Sequence, residues 1–281
     1  MKKSDSISIL ICVYKKDNPK HLISAFNSLK VQSKFIYEII LVKDGPLTKE
    51  LEKIISRFRS MIKINIVSIK KNVGLAKALN IGLKKVKTNW IARFDSDDIC
   101  HKNRFRNAKQ IIKDYGNEID IFGTYMKEFE NNINDKNKIR YVPLQGKRIK
   151  NNIIFSNPMN HISVIFKKEL VHRFSDDTKS FYPLINGFED YALWIKLINN
   201  GVRFRNFPIV TVYARVGKDM LKRRGGIKYI INEIKFRKFT FKYFNTFDNL
   251  LILIISSIRI TIFLLPINLK KIFYLFKRKF L

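Results

Sequence analysis

From its first residues the chain alternates two kinds of apolar pattern. Ile7 to Val13 is a short β-branched run, and Pro19 then opens a stretch in which Leu22, Ala25, Phe26 and Leu29 recur three and four residues apart. That spacing is one face of a helix. The unit repeats as Tyr37 to Val42 with Leu51 to Phe58, as Ile64 to Ile69 with Leu75 to Leu83, and as Trp90 to Phe94, which stops at the acids of "DSDD". Apolar strands alternating with amphipathic helices predict an α/β fold with a mostly parallel central sheet covered on both faces. A helix through Ala108, Ile111, Ile112 and Tyr115 follows, then strands in "DIFGTYMKEF" and at Ser163 to Phe166. A helix from Tyr191 to Ile198 and a last strand from Pro208 to Tyr213 complete the series, and the polar "ENNINDKNKIR" reads as an exposed loop.

Beyond Gly217 the character changes. Lys218, Lys222, Arg223, Arg224, Lys228, Lys235, Arg237, Lys238 and Lys242 stand among aromatic and β-branched residues, and an apolar run from Leu250 to Leu265 follows, broken by Arg259. The run is shorter than the roughly 20 apolar residues a spanning helix needs, and a charge at the bilayer centre costs at least ~2.5 kcal/mol. A C-terminal amphipathic and hydrophobic helical tail lying in an anionic membrane surface accommodates both facts. The alternative is a buried hydrophobic hairpin that caps the domain.

Charge sharpens this picture. The 281 residues carry 55 Lys and Arg against 23 Asp and Glu, a formal net charge of +32, which calls for an anionic partner: nucleic acid, a nucleotide or acidic phospholipid. Cys12 and Cys100 are too few for a disulfide scaffold and lack metal-ligand neighbours, so a reducing compartment is expected. The basic start has no small-residue cleavage site, which argues against a signal peptide.

In a sheet of this kind ligands sit beyond the carboxyl ends of the strands. Those ends carry Val13 and Tyr14, then Asp44 and Gly45, then Asn72 to Gly74, then Asp95 to Asp98. Asp44 is either part of an ordinary Asp-Gly-Pro turn or a carboxylate able to accept the N3 hydrogen of uracil. Asn72 is expected to cap the helix that opens at Leu75, and with Gly74 to leave its N-terminus facing phosphate or ribose. Lys77 and Asn80, three apart, can share a face of that helix. Arg93, two residues before Asp95, can steady that carboxylate or reach a bound nucleotide. Asp95 and Asp97 emerge on one face and repel unless a cation lies between them, and Mg²⁺ or Mn²⁺ is the usual solution. Asp98 is as well placed to cap the segment beginning near Lys102 as to touch a metal.

"SISILICVYKKDN", "EIILVKDG", "NVGLAKALNIGL", "IARFDSDD" and "GFEDYALWIKLINNG", in that order, resemble the successive motifs of family 2 glycosyltransferases of the GT-A fold, Rossmann-like transferases of nucleotide-diphospho-sugars. The resemblance covers about Ser6 to Tyr213. "RFDSDD", "NPMNHISVIFKK" and "EDYALW" resemble, within that family, the branch that builds bacterial exopolysaccharide and O-antigen units, the amylovoran type. The resemblance implies a UDP-sugar donor, a divalent ion at Asp97 with Asp95 near ribose and phosphate, uracil near Asp44, and inversion at the anomeric carbon. It also implies three regions: a nucleotide-sugar-binding half at 1–98, an acceptor-binding and catalytic half at 99–216, and the tail at 217–281. The chain departs from the processive synthases in having no QxxRW stretch and no array of long apolar segments.

Inverting transfer needs a base behind the acceptor hydroxyl. Glu189 and Asp190 fall in the first turn of a helix, where carboxylates are favoured and often merely cap; the resemblance makes Asp190 the base and Glu189 an acceptor-binding or support residue. His161 is open between a further metal ligand, an acceptor contact and a histidine bonded to local backbone. A tail suited to membranes implies a lipid-linked saccharide acceptor, on a polyprenyl diphosphate, at the cytoplasmic face of the bacterial inner membrane. Two rivals fit less well: a nucleotidyltransferase wants a glycine-rich loop where "YKKDNP" stands, and a nucleic-acid binder leaves the aligned acids unexplained. No nucleic-acid partner is therefore expected, and no pattern sets an oligomeric state.

Overall fold

The computed structural model describes residues 6–134, 138–216, 226–265 and 269. Strands β1 (Ile7–Val13), β2 (Glu38–Lys43), β3 (Ile64–Ser68) and β4 (Trp90–Arg93) alternate with helices α1 (Pro19–Lys30), α2 (Lys49–Arg59) and α3 (Leu75–Leu83), as the periodicity predicts. Asn18 caps α1 by accepting from Lys20 N, and Thr48 caps α2 by accepting from Leu51 N. The next region holds β5 (Ile99–Cys100), α4 (Arg104–Tyr115), β6 (Ile121–Phe129), β7 (Ile139–Arg140), α5 (Gly146–Asn152) and β8 (Ile165–Lys167). It ends with α6 (Glu169–Phe174), α7 (Glu189–Asn199) and β9 (Phe204–Arg215). The short elements β5, β7, α5 and α6 carry too few apolar residues to stand out in the sequence.

The sheet runs β3-β2-β1-β4-β8-β6-β9-β5, with β7 on β6. It is mixed rather than mostly parallel. β1 pairs in parallel with β2 and β4, as do β2 with β3 and β6 with β9, whereas β8 is antiparallel to both β4 and β6, β5 to β9, and β7 to β6. Periodicity records that a segment is a strand, not the direction of the neighbour it finds. Because β8 opposes both its neighbours, β4 and β6 point the same way, and six carboxyl ends (β1 to β4, β6 and β9) meet at one edge.

Both faces are covered. Ile7, Ile9 and Ile11 face α1, α2 and α4 through Leu22, Phe26, Phe58 and Phe105, while Leu10, Ile40 and Ile91 face α3 and α7 through Leu79, Leu83, Leu193 and Trp194. Burial on both sides explains why β1 reads as an apolar run with Ser8, itself buried and bonded to Glu38, as its one polar residue.

The tail forms two helices, α8 (Ile227–Thr240) and α9 (Thr246–Leu264), and they grip the domain by one face. Phe236, fully buried, stacks on Phe188 with centroids 4.9 Å apart and planes at 13°, and packs on Tyr191 at 4.9 Å. Glu233, also fully buried, accepts from Arg237 Nε at 2.8 Å and Ser256 Oγ at 3.2 Å, with Arg259 Nη1 at 3.7 Å. Arg259 is thus no lone charge in an apolar run: its Nη2 also donates to Phe155 O at 2.6 Å. The opposite face leaves Phe247, Leu250, Leu253, Ile254 and Ile258 exposed. Among the described residues no helix is long and apolar enough to cross a membrane. Lys218, Lys222, Arg223 and Arg224 lie outside the described residues.

Removing one partner of a buried ion pair leaves the others desolvated and uncompensated. Glu233→Ala is expected to lower unfolding stability by about 3–5 kcal/mol, read as a shifted denaturant midpoint. A change within experimental error would show that the hairpin is not held by this cluster.

Candidate active site

Each strand end contributes something different to the common edge. Asp44, buried at the end of β2, accepts from Val73 N at 2.7 Å, Gly74 N at 3.1 Å and Asn72 Nδ2 at 2.9 Å. Its turn lies so close to this loop that a Cβ on Gly45, φ +89°, would meet Asn72 N at 2.7 Å. Asn72 therefore does not cap α3; it braces Asp44, and Gly74 occupies the N-cap position with φ +87° and no side-chain cap. Asn80 is buried and fully engaged, its Oδ1 accepting from Phe181 N and Tyr182 N at 3.0 and 2.8 Å and its Nδ2 donating to Tyr182 O at 2.9 Å. It ties α3 to the 181–182 segment, while Lys77 stands exposed, so the two form no shared ligand face. Val13 is buried and Tyr14 sits at the rim.

The acids gather beyond β4. Carboxylate oxygens of Asp95, Asp97 and Asp98 lie within 4.8 Å of one another. Arg93, buried on β4, pairs with Asp95 through Nη2 and donates from Nη1 to the carbonyls of Phe94 and Leu10. Asp98 caps no helix, since the N-cap of α4 is Asn103; it is buried and accepts from Arg215 N at 2.7 Å. Arg215 Nε donates in turn to Asp97 O at 3.0 Å.

Asp17, which drew no attention in the sequence because it sits between lysines and a capping asparagine, is not one of the three but lies within their electrostatic reach. Its Oδ2 accepts from Ser96 Oγ at 2.8 Å and Tyr14 N at 3.2 Å. Burial, then the charges of Asp97 and Asp95, raise its carboxyl to about 6. Burial and the same two neighbours hold Asp98 well above the usual carboxylate range. Crowded carboxylates with raised pKa values are short of positive charge, and an all-oxygen donor set suits Mg²⁺ or Mn²⁺. Asp95, Asp97 and Asp98 fit such an ion.

A second pair of acids opens α7. Asp190 Oδ2 accepts from Asn157 Nδ2 at 2.7 Å and Oδ1 from Tyr191 N at 2.8 Å. Glu189 is buried and accepts from Gly187 N at 2.7 Å. Burial, then the Asp190 charge, push it up to about 7. Phe188 and Tyr191, which flank the two acids, are the residues Phe236 packs against. His161 is not in the acid cluster and is no metal ligand of it: its Nε2 lies 3.1 Å from Tyr182 Oη, and its ring packs on Tyr182 and Trp194. Burial, then the Arg93 charge, lower its pKa well below the ordinary value, so it is neutral. The field of Arg93 also reaches Glu189, so one guanidinium is common to both groups of acids. The edge combines three carboxylates that could hold a hard cation with a second pair of acids at the start of α7.

Residues 8–174 match the family model described as glycosyl transferase family 2. A UDP-Gal:alpha-D-GlcNAc-diphosphoundecaprenol beta-1,3-galactosyltransferase of Escherichia coli is 35% identical over 95% of this chain and 94% of its own length. The amylovoran biosynthesis glycosyltransferase AmsE of Erwinia amylovora is 33% identical over 81% of this chain and 83% of its own. Among solved structures, S. aureus TarS 1-349 in complex with UDP-GlcNAc superposes with a TM-score of 0.63 at 19% identity, covering 83% of this chain and 66% of that one. This likeness places the fold in the GT-A class.

If the three acids hold a cation, Mn²⁺ affinity should weaken as pH falls, because Asp98 and Asp17, both raised above the usual carboxylate range, take up protons and their charges leave the field drawing the ion. Asp97→Asn should cost at least roughly tenfold in affinity at neutral pH, measured by calorimetry. Unchanged affinity in that variant would remove Asp97 from the site.

Proposed function

Because the chain belongs to glycosyltransferase family 2, we propose that it moves a hexose or N-acetylhexosamine from a UDP-sugar to a saccharide carried on a polyprenyl diphosphate. The transfer inverts the anomeric carbon and serves bacterial surface polysaccharide biosynthesis. The observation that carries this reading is the Asp95, Asp97 and Asp98 cluster on one side of Arg93 and, within reach of the same guanidinium, the Glu189 and Asp190 pair that Asn157 helps to hold. The donor and acceptor named for the E. coli relative are of this chemical kind.

In this reading the region to residue 98 takes the donor and 99–216 the acceptor. Val13, Tyr14 and the Asn72 to Gly74 loop braced by Asp44 line the nucleotide side, and Lys77 stands exposed beside it for the diphosphate. Asp95, Asp97 and Asp98 would hold Mn²⁺ or Mg²⁺, which when bound offsets the charge of the departing diphosphate. Arg93 keeps Asp95 oriented. Asp190 accepts the proton of the acceptor hydroxyl as its oxygen bonds to the anomeric carbon and the bond to the diphosphate breaks. Asn157 and the Tyr191 amide fix the carboxylate. The enzyme works peripherally at the cytoplasmic face of the inner membrane, with the exposed apolar face of α8 and α9 on the lipid and the lysines of α8 on anionic headgroups.

Burial and the Asp190 charge push Glu189 up to about 7, so Glu189 gains its charge as pH rises through that region and favours proton uptake by the neighbouring Asp190; kcat/KM should therefore rise with pH there. Glu189→Gln should remove this limb. Asp190→Asn should lower turnover by roughly 10² with UDP binding intact. Normal turnover in a folded Asp190 variant would refute its role.

Truncation after Val216 would uncover Phe188 and Tyr191, so surface substitution is the cleaner probe of lipid contact. Changing Phe247, Leu250 and Ile254 together to serine should abolish sedimentation with anionic vesicles and leave Mn²⁺-dependent UDP binding unchanged. Undiminished sedimentation would assign this face to another contact.

A further inference from the structure

Tyr125 and Tyr141 have no part in the site as described, yet they are held as if for use. Their rings meet edge to face, with centroids 5.0 Å apart and planes at 78°. Tyr125 is half-buried on β6, while Tyr141, one residue past β7, is 59% exposed. A ring fixed in angle by a neighbour and still open to water is a preorganised apolar plate.

Its place in the fold says what could lie on it. The irregularities between β6 and β9 come from extra residues on β9, since Thr124 pairs with Phe207, Tyr125 with Val210 and Met126 with Val212. β6 therefore keeps its alternation, and Tyr125 shares a face with Ile121 and Gly123, the side covered by α7. Two residues before Tyr125, a Cβ on Gly123 would stand 3.0 Å from Met159 Cε. Asn160 Nδ2 donates to Thr124 O at 2.8 Å and reaches Arg140 O at 3.4 Å, so the residues preceding both tyrosines are tied to the 157–161 segment. That segment supplies Asn157, which holds Asp190 at 2.7 Å. The plate is thus tied, through the 157–161 segment, to the asparagine that holds Asp190. It is far from the nucleotide side: β2, which ends in Asp44, is four strands from β6, about 19 Å at a strand spacing of ~4.8 Å.

We infer that the Tyr125–Tyr141 pair is a stacking platform for a pyranose of the saccharide acceptor. One face of a pyranose is lined by C–H groups carrying partial positive charge, which suits the negative face of an aromatic ring, and its hydroxyls remain at the edge in water. The inference rests on the reading that Asp190 deprotonates the acceptor.

The test is saturation-transfer NMR on the full chain loaded with UDP and Mn²⁺, using methyl glucopyranoside, methyl galactopyranoside and methyl N-acetylglucosaminide as probes. At least one probe should show transfer concentrated on the protons of a single ring face. Tyr141→Ala should reduce that transfer roughly tenfold, with UDP affinity and thermal midpoint unchanged because the side chain is largely exposed. Tyr141→Phe should retain it, since the ring and not the hydroxyl makes the contact. No transfer from any probe, undiminished transfer in the alanine variant, or equal loss in the phenylalanine variant would each overturn the platform. Absence of UDP binding in the wild-type protein would instead overturn the transferase reading.

Discussion

A guanidinium buried at the centre of the sheet sets the terms for everything around it. Arg93 is almost wholly removed from water, and an ion so placed costs several kcal/mol unless charge and hydrogen bonds replace its hydration. Asp95 supplies the charge, and the carbonyls of Leu10 and Phe94 supply acceptors on either side. Because Leu10 belongs to β1 and Arg93 to β4, satisfying this one side chain also fixes the two central parallel strands and the direction in which the acids leave them. Its field reaches across to His161, kept neutral, and to Glu189, whose raised pKa it moderates.

The remaining charge problem is resolved in opposite ways at the two groups of acids. Beyond β4 the carboxylates crowd one another more than Arg93 beside Asp95 offsets, and burial with the neighbouring charges leaves Asp17 and Asp98 with raised pKa values. That is the environment a divalent ion relieves. At the start of α7, neutral donors hold each acid: Asn157 and the Tyr191 amide for Asp190, the Gly187 amide for Glu189. There burial makes ionisation of Glu189 responsive near neutrality, the condition for moving a proton rather than holding a metal.

The hairpin joins this chemistry to the outside of the molecule. Phe236 packs on the two residues that flank the acids, while Glu233 ties α8 to α9 through Ser256 and Arg259. Of the two expectations for the tail, the buried cap describes its inner face, and the membrane surface is a proposal for its outer one. The inner face caps the domain; the outer face leaves a band of exposed apolar side chains beside Lys228, Lys235 and Lys238.

Local pattern alone was enough for β1 to β4, α1 to α4, β6, α7 and β9, because each buries a periodic set of apolar residues and periodicity is written along the chain. It was enough, too, for the clustering of Asp95, Asp97 and Asp98, which four consecutive positions impose. Other features depend on partners far away in sequence. The antiparallel insertion of β8, Asn72 bracing Asp44 instead of capping α3, Asn80 bonded to the 181–182 backbone, and Asp98 on the Arg215 amide each join segments separated by tens of residues. Asp17 lies in the field of the acid group, and His161 outside that group, for the same reason. A side chain's chemistry is fixed by its type, but its role is fixed by which polar groups and charges tertiary packing brings within a few ångströms, and that distance is not recorded in the order of residues.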